Sequence, residues 1–402
     1  MAVAVGDWPA TILHPSSGFH DDDQVGGHVY SRAETDTFEC TSLYPLASLE
    51  ASLAEPAAVL AGGGVVGFPT ETVYGLGANA LSADAVAGIF AAKRRPADNP
   101  LIVHVSGREM LAPLVDLDGV GASQRAVIDG LMTAFWPGPL TLLLPKSAAV
   151  PDEVTAGHPT VGVRMPSHSV ARALIAAAGV PLAAPSANLS GRPSPTTAGH
   201  VLTDLGGRIP WVVDGGSCDF GLESTVVDPL REPPMVLRPG AVTLEQLRSV
   251  APDMVVHSGE VEEAPATPGL KYTHYSPSAP VVVFDGGSPE AMSRSLASWC
   301  AETSAAAEAG APTPRIGLVA TRPDVVVPPT TARVIQLFDT DDRAGAAAAH
   351  GLFAALRELD EDGCTHIIIE GVSRAHFGLA VMNRALKAAS RTVVCHEAGA
   401  SS

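Results

Sequence analysis

The chain has 402 residues, 46% of them apolar and 17% charged, so it can bury a large core and is not a disordered polymer. At about 150 residues per domain, that length suits two domains. Its 25 Lys and Arg against 43 Asp and Glu leave a net charge of −18, which argues against general polyanion binding.

Residues 1–42 show no hydrophobic period, contain Asp21-Asp22-Asp23, and read as a disordered acidic extension. They match neither a secretory signal nor a mitochondrial presequence. From residue 43 to 250 the pattern is regular. Helices are predicted at Leu46–Leu60, Ala83–Ala92, Ser123–Ala134, Val170–Ala178 and Thr197–Leu205. Strands are predicted at Val65–Phe68, Leu101–Val105, Leu140–Leu144, Val161–Arg164, Leu182–Ala184, Val212–Asp214, Ser224–Asp228 and Val236–Arg238. They interleave without strict alternation, as in a twisted mixed sheet covered by helices. Residues 251–279, rich in Pro, Glu and Gly, read as a linker. Residues 280–397 follow with strands at Val281–Phe284, Arg315–Ala320 and His366–Glu370 and intervening helices, the order of a small doubly wound α/β domain. The longest nearly apolar stretch, Ala173–Pro185, is too short to span a bilayer, so no membrane association is expected. Five scattered cysteines without a C-x-x-C pair argue against a disulfide scaffold or a thiolate zinc site, and suit a reducing, cytoplasmic setting.

Gly62-Gly63-Gly64-Val65-Val66-Gly67 matches G-x-G-x-x-G in letters only, because its glycines precede a strand instead of following one. No P-loop, H-E-x-x-H or G-x-S-x-G is present. Charge is uneven: residues 1–45 carry −6, residues 46–250 only −5, and residues 251–402 carry −7. The bases of the middle segment gather at Lys93-Arg94-Arg95, Arg164 and Arg238.

Several polar clusters stand at strand ends, where α/β sites form. Pro69-Thr70-Glu71-Thr72-Val73-Tyr74-Gly75 is either a hydroxyl-capped turn or part of a site. Lys93-Arg94-Arg95 is either a complement to a helix C-terminus or a place for a bound anion. His104, after three apolar residues, fits a core position at least as well as a ligand contact. Arg164 ends an apolar strand and needs an anion, from an internal Asp or Glu or from a ligand carboxylate. Pro185-Ser186-Ala187-Asn188 through Ser194 offers hydroxyls and backbone N–H groups that suit phosphate, and Glu223-Ser224-Thr225 and Leu237-Arg238-Pro239-Gly240 complete the set. With no acyl nucleophile and no metal cage, this combination favours binding a nucleoside triphosphate by positioning and charge neutralisation.

Phe68-Pro-Thr-Glu-Thr-Val-Tyr-Gly-Leu-Gly77, Lys93-x-Arg-Pro-x-x-Asn-Pro-Leu-Ile-Val-His104, Trp136-Pro-Gly-Pro-Leu-Thr141, Val163-Arg-Met-Pro166, Pro185-Ser-Ala-Asn188, Glu223-Ser-Thr-Val226 and Leu237-Arg-Pro-Gly240 resemble the YrdC family. Gly269-Leu-Lys-Tyr-Thr-His-Tyr-Ser-Pro277 and Gly378-Leu-Ala-Val-Met-Asn-Arg384 resemble the linker and C-terminal domain of its long, two-domain form. The resemblance implies synthesis of threonylcarbamoyl-AMP and pyrophosphate from L-threonine, bicarbonate and ATP, with Mg²⁺ accompanying ATP. It implies that Thr72, His104, Arg164, Ala184 and Ser224 hold threonine, with Arg164 on its carboxylate. Arg95, Asn99, Thr160, Ser186, Ser194, Arg238 and Tyr275 would hold ATP, and Lys93 with Arg95 would stabilise phosphate charge in catalysis. Tyr275 would make the linker a lid. The product would pass to a tRNA threonylcarbamoyl transferase complex, without strong direct nucleic-acid binding. Two rivals differ in class. A carbamoyl transferase of the hydrogenase-maturation type would carry cysteine zinc motifs, and an RNA-binding module would show a steep salt dependence.

Overall fold

The computed structural model describes residues 27–32, 38–43, 46–257, 274–305, 313–338 and 345–396. Short apolar runs ended by Pro, Gly or small hydroxyl residues make short strands, and the longer periodic runs between them make helices. In chain order the first part holds β1 (Gly27–Arg32), β2 (Phe38–Leu43), α1 (Leu46–Ala61), β3 (Val66–Phe68), β4 (Gly75–Asn79), α2 (Ala83–Lys93), β5 (Ile102–His104) and α3 (Ala122–Phe135). It continues with β6 (Leu140–Pro145), α4 (Asp152–Thr155), β7 (Thr160–Arg164), α5 (Ser169–Ala178), β8 (Leu182–Ala184), α6 (Ala198–Leu205), β9 (Trp211–Asp214), β10 (Thr225–Asp228), β11 (Met235–Arg238), α7 (Leu244–Arg248) and β12 (Val255–Val256).

These strands form one mixed sheet in the order β12-β11-β10-β6-β7-β5-β8-β4-β3-β9-β1-β2. Neighbouring residues of β9 show how it is covered. Val212 enters the core that contains Ile89, Leu140 and Val201, whereas Val213 enters the core that contains Leu53, Phe68 and Leu174. Side chains alternate across a strand, so helices pack on both faces.

Two expectations need correction. Residues 27–32 and all but the last of 38–43 lie inside the extension read as disordered, yet they pair antiparallel and join the sheet edge against β9. Each is only six residues long and mostly polar, and the pairing partner on β9 lies far away in sequence, so no local period announces them. Val255–Val256, placed in the linker, instead adds a short parallel strand to β11. Residues 258–273, which hold most of the linker and the first five residues, Gly269–Thr273, of its Gly269–Pro277 signature, lie outside the described residues.

The second part comprises β13 (Val281–Asp285), α8 (Pro289–Ala305), β14 (Ile316–Ala320), β15 (Thr331–Gln336), α9 (Ala346–Glu361), β16 (His366–Glu370), α10 (Phe377–Ala388) and β17 (Ala389–Val394). Its five strands are all parallel, in the order β15-β14-β16-β13-β17. The two edge strands went unread in the sequence because their residues are largely exposed and carry no apolar run. Among the described residues, no helix is long and apolar enough to cross a membrane.

Candidate active site

Register brings the central polar residues together. On β5, Ile102 lies opposite Gly162 of β7 and Ala184 of β8, and His104 lies opposite Arg164. The spacing of two puts Ile102, His104, Arg164 and Ala184 on one face, where all four line one cleft. The β3–β4 turn covers this face. A Cβ on Gly77 would come within 2.9 Å of the Phe68 ring, so glycine lets that ring lie against β4. The ring then meets His104 edge-on, with centroids 5.9 Å apart. Burial, helped by the Arg164 charge, lowers the His104 pKa to about 3, so this ring is a neutral wall.

Arg164 has its anion inside the protein. Its Nη2 lies 2.7 Å from Glu71 Oε1, Nη1 donates to Thr72 Oγ1 at 2.8 Å, and Nε donates to the Gly138 carbonyl at 3.3 Å. Burial acts to raise the Glu71 carboxyl, but the Arg164 charge and hydrogen bond outweigh it and hold Glu71 below the usual carboxylate range. Three of five guanidinium hydrogens are thereby used, leaving two for a ligand.

The basic run divides into three environments. Arg94 caps α2 in the left-handed conformation and is exposed, whereas Arg95 turns into the cleft. Lys93 is buried and donates to the carbonyls of Ser186 (2.5 Å) and Asn188, so it holds the Pro185–Asn188 loop in place. Burial, with Arg95 and Arg357 nearby, pushes its pKa well down. Opposite, Arg238 donates to the Ser224 carbonyl from both Nε (3.2 Å) and Nη2 (3.0 Å), and Ser224 Oγ shares a 2.8 Å hydrogen bond with Thr141. A Cβ on Gly240 would sit 2.4 Å from the Glu223 carbonyl, so this close approach requires glycine.

The second part of the chain closes the site. Arg384 of α10 is fully buried; its Nε donates to Glu223 at 2.9 Å and its Nη1 to the Pro239 carbonyl at 2.6 Å. Ser194 donates to the other Glu223 oxygen at 2.6 Å. Burial acts to raise Glu223, yet Arg384, Arg238 and the Ser194 hydrogen bond bring it to about 2. Arg357 of α9 binds Asp204 at 2.7 Å and the Pro193 carbonyl at 2.5 Å. Tyr275 lines the cleft, stacks 5.0 Å from Phe353 of α9, and lies beneath the Arg384 guanidinium at 5.9 Å. Val73 and Leu222 enter the same apolar core as Phe353 and Leu356, so the two parts share a core.

A family model described as telomere recombination, covering Sua5, YciO and YrdC, matches residues 58–240. A second, described as threonylcarbamoyl-AMP synthase, C-terminal domain, matches residues 242–390. The chain belongs to the threonylcarbamoyl-AMP synthase family. It is 44% identical over 352 residues to the threonylcarbamoyl-AMP synthase of Bacillus subtilis (strain 168), covering 87% of this chain and 96% of the relative. It is 43% identical over 335 residues to that of Pyrococcus abyssi (strain GE5 / Orsay), covering 83% and 92%. The crystal structure of P. abyssi Sua5 complexed with L-threonine superposes with a TM-score of 0.77 at 41% identity, over 86% of this chain and 97% of that one.

Of the residues singled out from the sequence, Thr72, Arg95, His104, Arg164, Ala184, Ser186, Ser224, Arg238 and Tyr275 line the one cleft. Four do not. Lys93 lies beneath the loop, donating to its Ser186 and Asn188 carbonyls. Ser194 is wholly buried on Glu223. Asn99 is buried, with its carbonyl 3.4 Å from Arg95 Nη2. Thr160 begins β7 while Arg164 ends it, which separates them by about 13 Å along the strand. Sequence reasoning missed His274, Glu223 and Arg384. The first stands beside Tyr275 in the linker signature, and the other two stand inside motifs already noted.

Among the described residues, no cluster of three His, Cys, Asp or Glu side chains could hold a metal. Both carboxylates at the cleft are held by arginines. The residues present therefore do not fit a resident Mg²⁺ site, since such sites use one or two protein carboxylates.

Proposed function

We propose that this protein is a nucleotidyltransferase that forms threonylcarbamoyl-AMP and pyrophosphate from L-threonine, bicarbonate or CO₂, and ATP. One observation carries the reading: Arg164 with Thr72 and Arg95 with Arg238 face one cleft walled by Tyr275. A carboxylate and a triphosphate then have separate cationic partners within one reaction volume. The family and the threonine complex of the P. abyssi relative support it.

Threonine places its carboxylate on the two remaining Arg164 hydrogens, near Thr72 and Ser224. Its side chain lies against His104 and Ala184, where a neutral ring and a methyl group give an apolar wall. ATP, entering as its Mg²⁺ complex, lays its phosphates along Arg95, Ser186 and Arg238. The threonine amine adds to CO₂ to give a carbamate, its released proton passing to bicarbonate or water; a carbamate oxygen then bonds to the α-phosphorus as the bond to pyrophosphate breaks. Arg95 and Arg238 stabilise charge that grows on the phosphates. Glu71 and Glu223 are ionised and committed to arginines, so neither suits a general base, and rate comes from proximity and exclusion of water. The product supplies a transferase that modifies tRNA adenosine to threonylcarbamoyladenosine.

Pyrophosphate release should require ATP, threonine and bicarbonate together, and Arg95→Ala should abolish it while leaving the melting temperature near wild type. Release that persists without threonine or bicarbonate would refute the assignment.

A further inference from the structure

The second domain carries a crevice that this chemistry does not use. Strands β13 and β16 lie side by side and parallel. After β13 the chain enters α8, whose Met292 and Leu296 pack with Phe284 and Ile368 on one face of the sheet. After β16 it enters α10, whose Val381 and Ala385 pack with Val283 and Ile369 on the other face. Where neighbouring parallel strands send their connections to opposite faces, the loops part at the carboxyl ends and leave a ligand crevice. Here the gap between Asp285-Gly286-Gly287 and Gly371–Ala375 forms a crevice open to solvent.

Its lining is built for an anion joined to an apolar body. Gly286 and Gly287 take φ of +80° and +75°, and a Cβ on Gly287 would come within 2.8 Å of the Cys395 carbonyl. This turn leads into α8, a helix of 17 residues. Arg322 reaches the crevice with its Nε fixed on the buried Glu370 at 2.7 Å, while its Nη2 is buried with no hydrogen-bond partner. The side chain is 27% exposed, so its remaining Nη hydrogens are available to an anion in the crevice. Arg374, half exposed, is held over the turn by Asp285. Met292, Val372 and Phe338 supply an apolar wall that inorganic phosphate alone would leave unfilled.

We propose that this crevice binds a nucleoside phosphate, with its phosphate between the Gly286-Gly287 turn and Arg322 and its base on the Met292–Phe338 wall. The reading does not depend on the reaction assigned to the first domain. Hydrogen exchange on the full chain tests it, using AMP, adenosine and inorganic phosphate as separate probes. AMP should slow exchange in residues 285–288 and 371–375, phosphate should do so only at higher concentration, and adenosine should not. Arg374→Ala and Arg322→Lys should each weaken the AMP effect about tenfold or more, because each removes a charge-assisted contact. Arg322→Lys keeps a cation beside Glu370, and Arg374 is on the surface, so folding is preserved in at least one variant. Pyrophosphate release should stay at the wild-type rate in Arg374→Ala. Protection confined to the first cleft, no protection at all, or protection unchanged in both variants overturns the proposal.

Discussion

The cleft is flanked by two buried carboxylates, each answered by an arginine, and the two pairs differ in where their halves come from. Glu71 and Arg164 both belong to the first domain, on a turn and a strand of one sheet. Glu223 belongs to the first domain and Arg384 to the second. The first pair orients a guanidinium that still has hydrogens for a ligand. The second neutralises an acid that would otherwise repel phosphate, and it does so only when the domains are docked. The second domain thus contributes to the cleft's electrostatics as well as to its walls.

Breaking the interdomain pair should have the largest effect. Arg384→Met leaves Glu223 buried without its main counter-charge, a loss of about 3–5 kcal/mol. Melting temperature and pyrophosphate release should both fall sharply. Adding Glu223→Gln removes the stranded charge and should recover most of the stability. If the single variant melts with the double, the pair carries no coupling. Acid titration sharpens the same comparison. Although burial opposes it, Arg384 holds Glu223 at about 2, below the ordinary value near 4.3. The stabilisation is therefore complete above about pH 4.3 and is lost as pH falls toward 2. The double variant should lack this part of the acid sensitivity.

The local pair should respond differently. Arg164→Lys keeps the charge for Glu71 but loses the fork that reaches Thr72 and Gly138 together. The KM for threonine should rise about 10- to 100-fold, as expected for lost charge-assisted hydrogen bonds. The KM for ATP and the melting temperature should change far less. A rise confined to ATP would reverse the division of roles between Arg164 and Arg238.

Much of this cleft was legible because its residues cluster locally at strand ends. Thr72, Arg95, His104, Arg164, Ser224 and Arg238 each follow or end an apolar run, so placing the runs in one sheet places the residues. Their partners were not legible. Arg164 showed that it needed an anion, but the choice of Glu71 over a ligand depends on a β3–β4 turn folding over β7. The burial of Lys93 was not legible either, because a basic run has no local feature that distinguishes a buried ammonium from one facing the cleft, and its Ser186 and Asn188 carbonyl partners are far along the chain. Arg384 stood in a recognised motif, yet its role depends on domain docking, to which no periodicity points. The β1–β2 pair was missed for a similar reason, since its sheet partner is β9.

Tyr275 offers the smallest and most discriminating change, because it touches the interdomain pair without being part of it. Its backbone sits at φ +67°, a conformation that costs a non-glycine residue on the order of 1 kcal/mol or more. The ring offsets that cost by stacking on Phe353 under Arg384 in a nearly solvent-free position. Burial, then the Glu223 charge, pushes the hydroxyl up to about 12, so it stays protonated beside Glu223. Tyr275→Phe keeps the ring and its stack and removes only the hydroxyl beside Glu223. The loss should be about 1 kcal/mol, read as a fewfold rise in the KM for ATP with little change in melting. Tyr275→Ala removes the wall itself and should allow ATP hydrolysis without threonine. If Phe and Ala behave alike, the hydroxyl on Glu223 matters more than the ring, and Tyr275 acts through the interdomain ion pair instead of by covering the nucleotide.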